Sequence, residues 1–140
     1  MANNIIFSEK KINLNGLKEL SRIISGNEEV YEPIINNQCF KEAVQGDPYA
    51  QYSIGLRFTR GDEVERNNGE AAKWYRKAAE QGYSEAQVML GFCFMDGDGV
   101  KKSFQESARW FRKAAKQGNE IAMDALEYLE LETKNKKNSE

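Results

Sequence analysis

The sequence contains no histidine. That absence removes His-based catalytic triads, imidazole metal ligands and the commonest general acid and base. Cysteine is scarce as well, with only Cys39 and Cys93, and without histidine the two cannot complete a tetrahedral zinc site. Two free, buried thiols are expected. There is no excess of one charge either: 20 Lys and Arg stand against 22 Asp and Glu, a net charge of −2. The global cationic surplus that marks nucleic-acid and anionic-membrane binders is missing. Long apolar runs are also lacking. Ile5, Ile6 and Phe7 give way at once to charge, too short a stretch for a signal core or a membrane span, so a soluble cytoplasmic protein is expected. No residue pattern implies a cofactor.

What is present is ordinary in amount and regular in order. At 140 residues, 40% of them hydrophobic, the chain suits one domain with one core. Lys73-Trp74-Tyr75-Arg76-Lys77-Ala78-Ala79-Glu80-Gln81-Gly82 aligns without a gap on Arg109-Trp110-Phe111-Arg112-Lys113-Ala114-Ala115-Lys116-Gln117-Gly118, every pair 36 apart. Gly55 with Gly91, Phe58 with Phe94, Gly61 with Gly97, Asp62 with Asp98 and Val64 with Val100 keep the same spacing, and Ala50, Ala86 and Ala122 form a triple. A period of this size means stacked units, none able to bury its apolar face alone.

Each period reads as two helices. Helix A spans about residues 48 to 60, opened by Asp47-Pro48, and again about 84 to 96; proline at the first helical position loses no hydrogen bond. Helix B opens at Asn67 with Glu70, and at Ser103 with Glu106, both at capping-box spacing. Gly46, Gly82 and Gly118 stand where a helix-ending glycine belongs. Small residues, Gly55 and Gly91 with the alanines of helix B, allow close helix approach. Tyr52, Ile54, Phe58, Trp74, Tyr75, Leu90, Phe94, Trp110 and Phe111 would fill the core, each buried aromatic contributing about 150–250 Å².

The pattern Ala86-Gln87, Leu90-Gly91, Phe94, Gly97-Asp98-Gly99-Val100, Ala108-Arg109-Trp110-Phe111-Arg112-Lys113-Ala114-Ala115 and Gly118 resembles the Sel-one-like repeat, a relative of the tetratricopeptide repeat. The resemblance covers residues 43 to about 131. It implies an all-α fold, a short right-handed α-solenoid of antiparallel helix pairs whose A helices line a concave face. The units are residues 47–82 and 83–118, after an N-terminal arm and capping helix (1–33) and a degenerate half repeat (34–46). A C-terminal capping helix (119–133) and a disordered tail (134–140) follow. The upstream capping helix rests on Leu17, Leu20, Ile23 and Ile24 between Asn15 and Gly26, and residues 1–14 suit either a small hairpin or an unstructured arm. Some relatives carry paired cysteines in each repeat; Ala79 and Ala115 on helix B here imply no such framework. Glu63, standing where the second copy has Gly99, suggests a looser first loop.

Three motifs have ordinary explanations. Asp96-Gly97-Asp98-Gly99 begins like a calcium loop but continues with Val100 and reaches Ser107 where the bidentate glutamate belongs. Ser8-Glu9-Lys10-Lys11 matches the Ser-x-x-Lys of penicillin-recognising enzymes, yet lacks the companion motifs; hydrolysis of a β-lactam or other small amide is a weak alternative. Lys73, Arg76, Lys77, Arg109, Arg112, Lys113 and Lys116 form a cationic stripe on the B helices. No base-stacking platform accompanies it, and the half of the chain that contains it nets only +1.

Function follows from surface rather than chemistry. The repeat register aligns Leu56, Phe92 and Tyr128 in one row of helix A, and Thr59, Met95 and Leu131 in another, with Met89 in a slot usually polar in the family. The resemblance assigns such positions to partner contact, and aromatic and Met side chains supply adaptable contact energy. Leu56, Thr59, Met89, Phe92, Met95 and Tyr128 are therefore the expected partner-binding residues, the alternative being that these rows are inter-repeat core, with no catalytic or metal-binding set. The expected function is a non-enzymatic protein-binding module, working as a monomer or weak dimer, with no nucleic-acid or membrane partner. A dedicated immunity protein that caps a bacterial toxin is one form of it, and a general adaptor or regulatory subunit another. Trp74→Ala or Trp110→Ala is expected to cost about 3–5 kcal/mol, whereas Phe92→Ala or Met89→Ala leaves folding largely intact. Urea melts of the four variants check this order.

Overall fold

The computed structural model describes residues 37–139 and, ahead of them, the backbone of two strands. Strand β1 (Asn4–Phe7) pairs antiparallel with β2 (Lys10–Asn13), Ile5 opposite Ile12, so of the two alternatives for this region the paired form is present. The helix expected between Asn15 and Gly26, and Ser8 of the Ser-x-x-Lys motif, lie outside the described residues.

Six helices follow among the described residues: α1 (Gln38–Val44), α2 (Pro48–Arg60), α3 (Asn68–Glu80), α4 (Ser84–Asp96), α5 (Phe104–Lys116) and α6 (Glu120–Asn138). Each packs mainly on its sequence neighbours, as in a linear stack of helix pairs. Helices α2, α4 and α6 take the A position, and α1, α3 and α5 the B position.

The starts are set by side-chain caps that satisfy orphan N–H groups. Asp47, Asn67, Ser103 and Asn119 accept from the backbone N–H of Ala50 (2.7 Å), Glu70 (3.0 Å), Glu106 (3.2 Å) and Ala122 (3.1 Å). The A helices end at Gly61 and Gly97, both left-handed, at φ 78° and 75°. The two A-to-B loops are then copies of one another. Gly61 and Asp62 both donate to the Arg57 carbonyl and Asn67 to that of Phe58; Gly97 and Asp98 donate to Cys93, and Ser103 to Phe94. Glu63 adopts φ 62° where Gly99 adopts 70°, so the first loop is not looser. Its strained backbone is held by an ion pair from Arg57 to the Glu63 carboxylate at 2.6 Å.

The core centres on a ring laid against a helix backbone. The Tyr75 ring covers Gly55 so closely that a Cβ there would stand 2.5 Å from it, and the Phe111 ring covers Gly91 at 2.6 Å. Tyr75, Phe111, Phe40, Phe58, Ile54 and Leu90 are fully buried. Trp74 and Trp110 are buried beside them and are capped outside by Lys77 and Lys113, whose ammonium groups lie 4.9 and 4.5 Å from the ring centroids.

A ladder of glutamine amides joins one repeat to the next. Gln51 donates to the Ala43 carbonyl, while Gln81 donates to the Gly46 carbonyl and to the Gln51 side chain; Gln87 and Gln117 repeat this with Ala79, Gly82 and Gln87. Each buried amide is thereby paired, and an unpaired one would cost about 1–3 kcal/mol.

Two expectations need correction. Helix α6 continues to Asn138, so residues 134–138 are helical rather than a disordered tail. Lys136 lies 4.7 Å from the Phe104 ring of α5, and cations near a helix C-terminus are favoured by the helix dipole. Of the two thiols, Cys93 is buried but Cys39 only half-buried, its Sγ 3.7 Å from the Ala50 carbonyl.

Gly91→Ala tests the ring contact. In a helix interior this change ordinarily stabilises by about 0.5–1 kcal/mol; here it is expected to destabilise by about 1–3 kcal/mol, because the Phe111 ring must leave its place. Urea unfolding of Gly55→Ala and Gly91→Ala, with loss expected for both, is the measurement.

Candidate functional site

The A helices stand side by side, and positions four, three and four residues apart along each of them share a face. Two adjoining hollows open on that face. The first, about 230 Å³, is lined by Thr59 of α2, by Tyr75 of α3, and by Met89, Phe92, Cys93 and Asp96 of α4; Asn68 and Asp98 close its end. The second, about 430 Å³, lies between α4 and α6 and is lined by Phe92, Met95, Ile121, Asp124, Ala125 and Tyr128. Phe92 belongs to both, its ring seated edge-on against Phe111 at 5.1 Å.

Five of the six expected contact residues meet here. Thr59, Met89 and Phe92 line the first hollow, and Phe92, Met95 and Tyr128 the second. Leu56 lines neither, and instead packs on the core formed around Tyr75. Leu131, aligned with Met95 by the repeat, is exposed outside both. Thr59 is fixed in place by a 2.8 Å hydrogen bond between its hydroxyl and that of Tyr75. Tyr128 and Ile121 are exposed at 53% and 59%, so substantial apolar surface remains uncovered.

Tyr49 and Tyr83 were not singled out by the sequence, and Tyr52, expected in the core, is only half-buried. Tyr49, Tyr52 and Tyr83 form a cluster beside the first hollow, with centroid separations of 6.3 Å for Tyr49 to Tyr83 and 5.4 Å for Tyr52 to Tyr83. Tyr49 is 63% exposed. Asp96, Asp98 and Asp124 supply carboxylates at the edges. The repeat register was the signal available: Tyr49 aligns with Ile121, and Tyr52 with Asp124.

The cationic stripe is largely engaged within the chain. Lys73 pairs with Glu70 at 2.9 Å, Arg109 with Glu106 at 3.6 Å, and Arg76 lies 5.5 Å from the Phe94 ring; Lys77 and Lys113 cover the tryptophans. Among the described residues no group of three or more Cys, Asp or Glu is placed to hold a metal ion. The Asp96–Gly99 turn is shaped by glycines at positive φ. No described helix is long and apolar enough to cross a membrane.

This architecture is that of a tetratricopeptide-like α-solenoid. The family model for the Sel1 repeat matches residues 48–83 and 84–119, and the chain belongs to that family. It is similar to a Sel1 repeat protein from Oxalobacter formigenes, with 36% identity over 65% of this chain and 26% of that one, at a TM-score of 0.64. A protective antigen of uropathogenic Escherichia coli displaying an SLR fold is 33% identical over 79% of this chain and 27% of its own, with a TM-score of 0.59. Cysteine rich protein B of Helicobacter pylori shares the fold, at 21% identity and a TM-score of 0.61, over 81% of this chain and 93% of that one. The chain thus spans about a quarter of the length of the first two. No curated protein matches. Sel1 repeats generally mediate protein–protein interaction and typically act as non-catalytic scaffolds.

Two ionisable groups under the first hollow make stability depend on pH. Burial, reinforced by the carboxylates of Asp98 and Asp96, pushes the Cys93 thiol from 9.0 up to about 11. Burial likewise pushes the Tyr75 phenol from 10.0 up to about 12, against the opposing effect of its hydrogen bond with Thr59. Both groups ionise more readily in the unfolded chain, so unfolding releases protons at high pH. Stability is expected to be unaffected by these groups below pH 9 and to fall as pH rises through 11 and 12. Urea unfolding across that range checks it. Cys93→Ala should flatten the lower part of the fall and Tyr75→Phe the upper part.

Proposed function

We propose that the chain is a non-enzymatic binding module that takes a protein partner across the face of its A helices. The observation that carries this reading is the convergence of Thr59, Met89, Phe92, Met95 and Tyr128 on two hollows joined at Phe92. A solenoid held together by stacking does not need Tyr49, Ile121 and Tyr128 exposed to fold. Aromatic and flexible apolar side chains at a concave surface are the groups that supply most binding energy when a partner covers them. A general adaptor or regulatory subunit is the form this reading takes at its plainest. An immunity protein that caps a toxin is the narrower form of the same reading; protection of cells expressing a toxin encoded beside it is the expected result, and failure to protect leaves the plainer form.

The direct test is affinity capture of the tagged chain from its own cells, beside a Phe92→Ala, Tyr128→Ala variant. The variant is expected to stay folded, with its melting temperature lowered by loss of the Phe92–Phe111 ring contact, and to lose a stoichiometric partner by at least about tenfold, the equivalent of 1.4 kcal/mol. Retention of the same partner by the folded variant overturns the proposed site.

A further inference from the structure

The charges of this molecule are sorted by helix. The stretch 83–98, which contains α4, carries Glu85, Asp96 and Asp98 and no Lys or Arg. The stretch 119–133, most of α6, carries Glu120, Asp124, Glu127, Glu130 and Glu132 and again no cation. The cations of the second repeat lie in the loop at Lys101 and Lys102 and on α5, where Arg109 meets Glu106 and Lys113 the Trp110 ring, while Lys102 covers Phe104. The total of −2 hides this arrangement, which holds from α4 onward; α2 of the first repeat carries Arg57 and Arg60 instead.

Three of these carboxylates border the apolar hollows. Asp96 and Asp98 flank the first and Asp124 the second, and all three side chains are exposed. Met89, Phe92, Met95, Ile121 and Tyr128 lie between them. Lys101 and Lys102 follow Asp98 in the chain, with Lys102 lying over the Phe104 ring, so Asp96 and Asp124 carry most of the negative border on the α4 and α6 side.

Resting on the proposed binding role of this face, we infer that its partner is a basic segment of a protein, with large apolar side chains spaced among Lys or Arg. The apolar anchors fill the two hollows on either side of Phe92. The flanking cations meet Asp96, Asp98 and Asp124, and Tyr49 offers a ring face to a further cation. A segment lying across three A helices, each about 8–10 Å from the next, spans roughly 20 Å, which is about six extended residues or four helical turns. An acidic segment is rejected by the same carboxylates. Complementary charge of this kind fixes partner choice and association rate more than total affinity.

The test uses the full chain and fluorescein-labelled amphipathic peptides, read by fluorescence anisotropy. A leucine and lysine peptide is expected to bind at least about tenfold more tightly than one with glutamate at every lysine position. Its affinity should fall as salt rises from about 50 to about 300 mM. Asp96→Lys with Asp124→Lys, both exposed and checked for folding by circular dichroism, should weaken it about tenfold or more. Serine in place of the leucines should abolish binding. Equal binding of the glutamate peptide, no binding of the lysine peptide, or indifference to the charge reversal overturns the inference. Loss of binding in Phe92→Ala without loss in the charge-reversed variant refutes the basic partner while sparing the groove. Loss in the charge-reversed variant alone refutes the groove as the seat of binding.

Discussion

Everything in this fold depends on how closely helix B approaches helix A. That distance is set where the rings of Tyr75 and Phe111 press against Gly55 and Gly91. A side chain at either glycine would hold the helices apart, since a packed interior has little free space to absorb a displaced ring. The contact also fixes rotation about the helix axis. With the glycine side of α2 and α4 turned toward the B helices, the residues around Met89 and Phe92 are turned partly away, toward the open face. Core geometry therefore decides which residues are presented for recognition.

The glutamine ladder works at right angles to that contact, along the stack rather than within one pair. Its amides repeat with the chain up to α4. The position of Gln51 and Gln87 is taken in α6 by Met123, which is 46% exposed and has no amide to offer. Glu127 stands where Gly91 would receive a ring, and Glu130 where Phe94 fills the core. An apolar inner side with Ala122, Ala125 and Leu129 buried, and charge on the other, is the composition of a solenoid cap.

The fold was legible because the features that make it are repeated. Two copies of Trp-aromatic-Arg-Lys-Ala-Ala, of the turn glycines and of the capping residues placed α2 to α5 almost to the residue. The glycine and aromatic types at each end of the ring contact could be read, although their pairing could not. The tail was misread because the Lys-rich composition of residues 134–138 is equally that of a helix end, and only the packing of Lys136 on Phe104 decides the matter. The binding face was legible in part. Leu56 and Phe92 share a register and both rest half-buried on the core, but only Phe92 lines the two hollows. Tyr49 was missed because it does not repeat: position by position, Tyr49, Glu85 and Ile121 have nothing in common, and Asp96 and Asp98 were read only as parts of a turn.

That failure to repeat is itself informative about where selection for binding has room to act. Residues that set the stack are constrained to recur, since each repeat must present the same surface to the next. Residues on the open face are free of that constraint, and here they differ in each copy: tyrosines in the first, methionine and phenylalanine in the second, isoleucine and tyrosine beside a carboxylate in the third. The resulting surface grades from aromatic hydroxyls at α2 to apolar side chains and negative charge at α6. A partner that reads such a gradient can bind in only one direction along the stack, so the same asymmetry that hides the site from a repeat search gives it polarity.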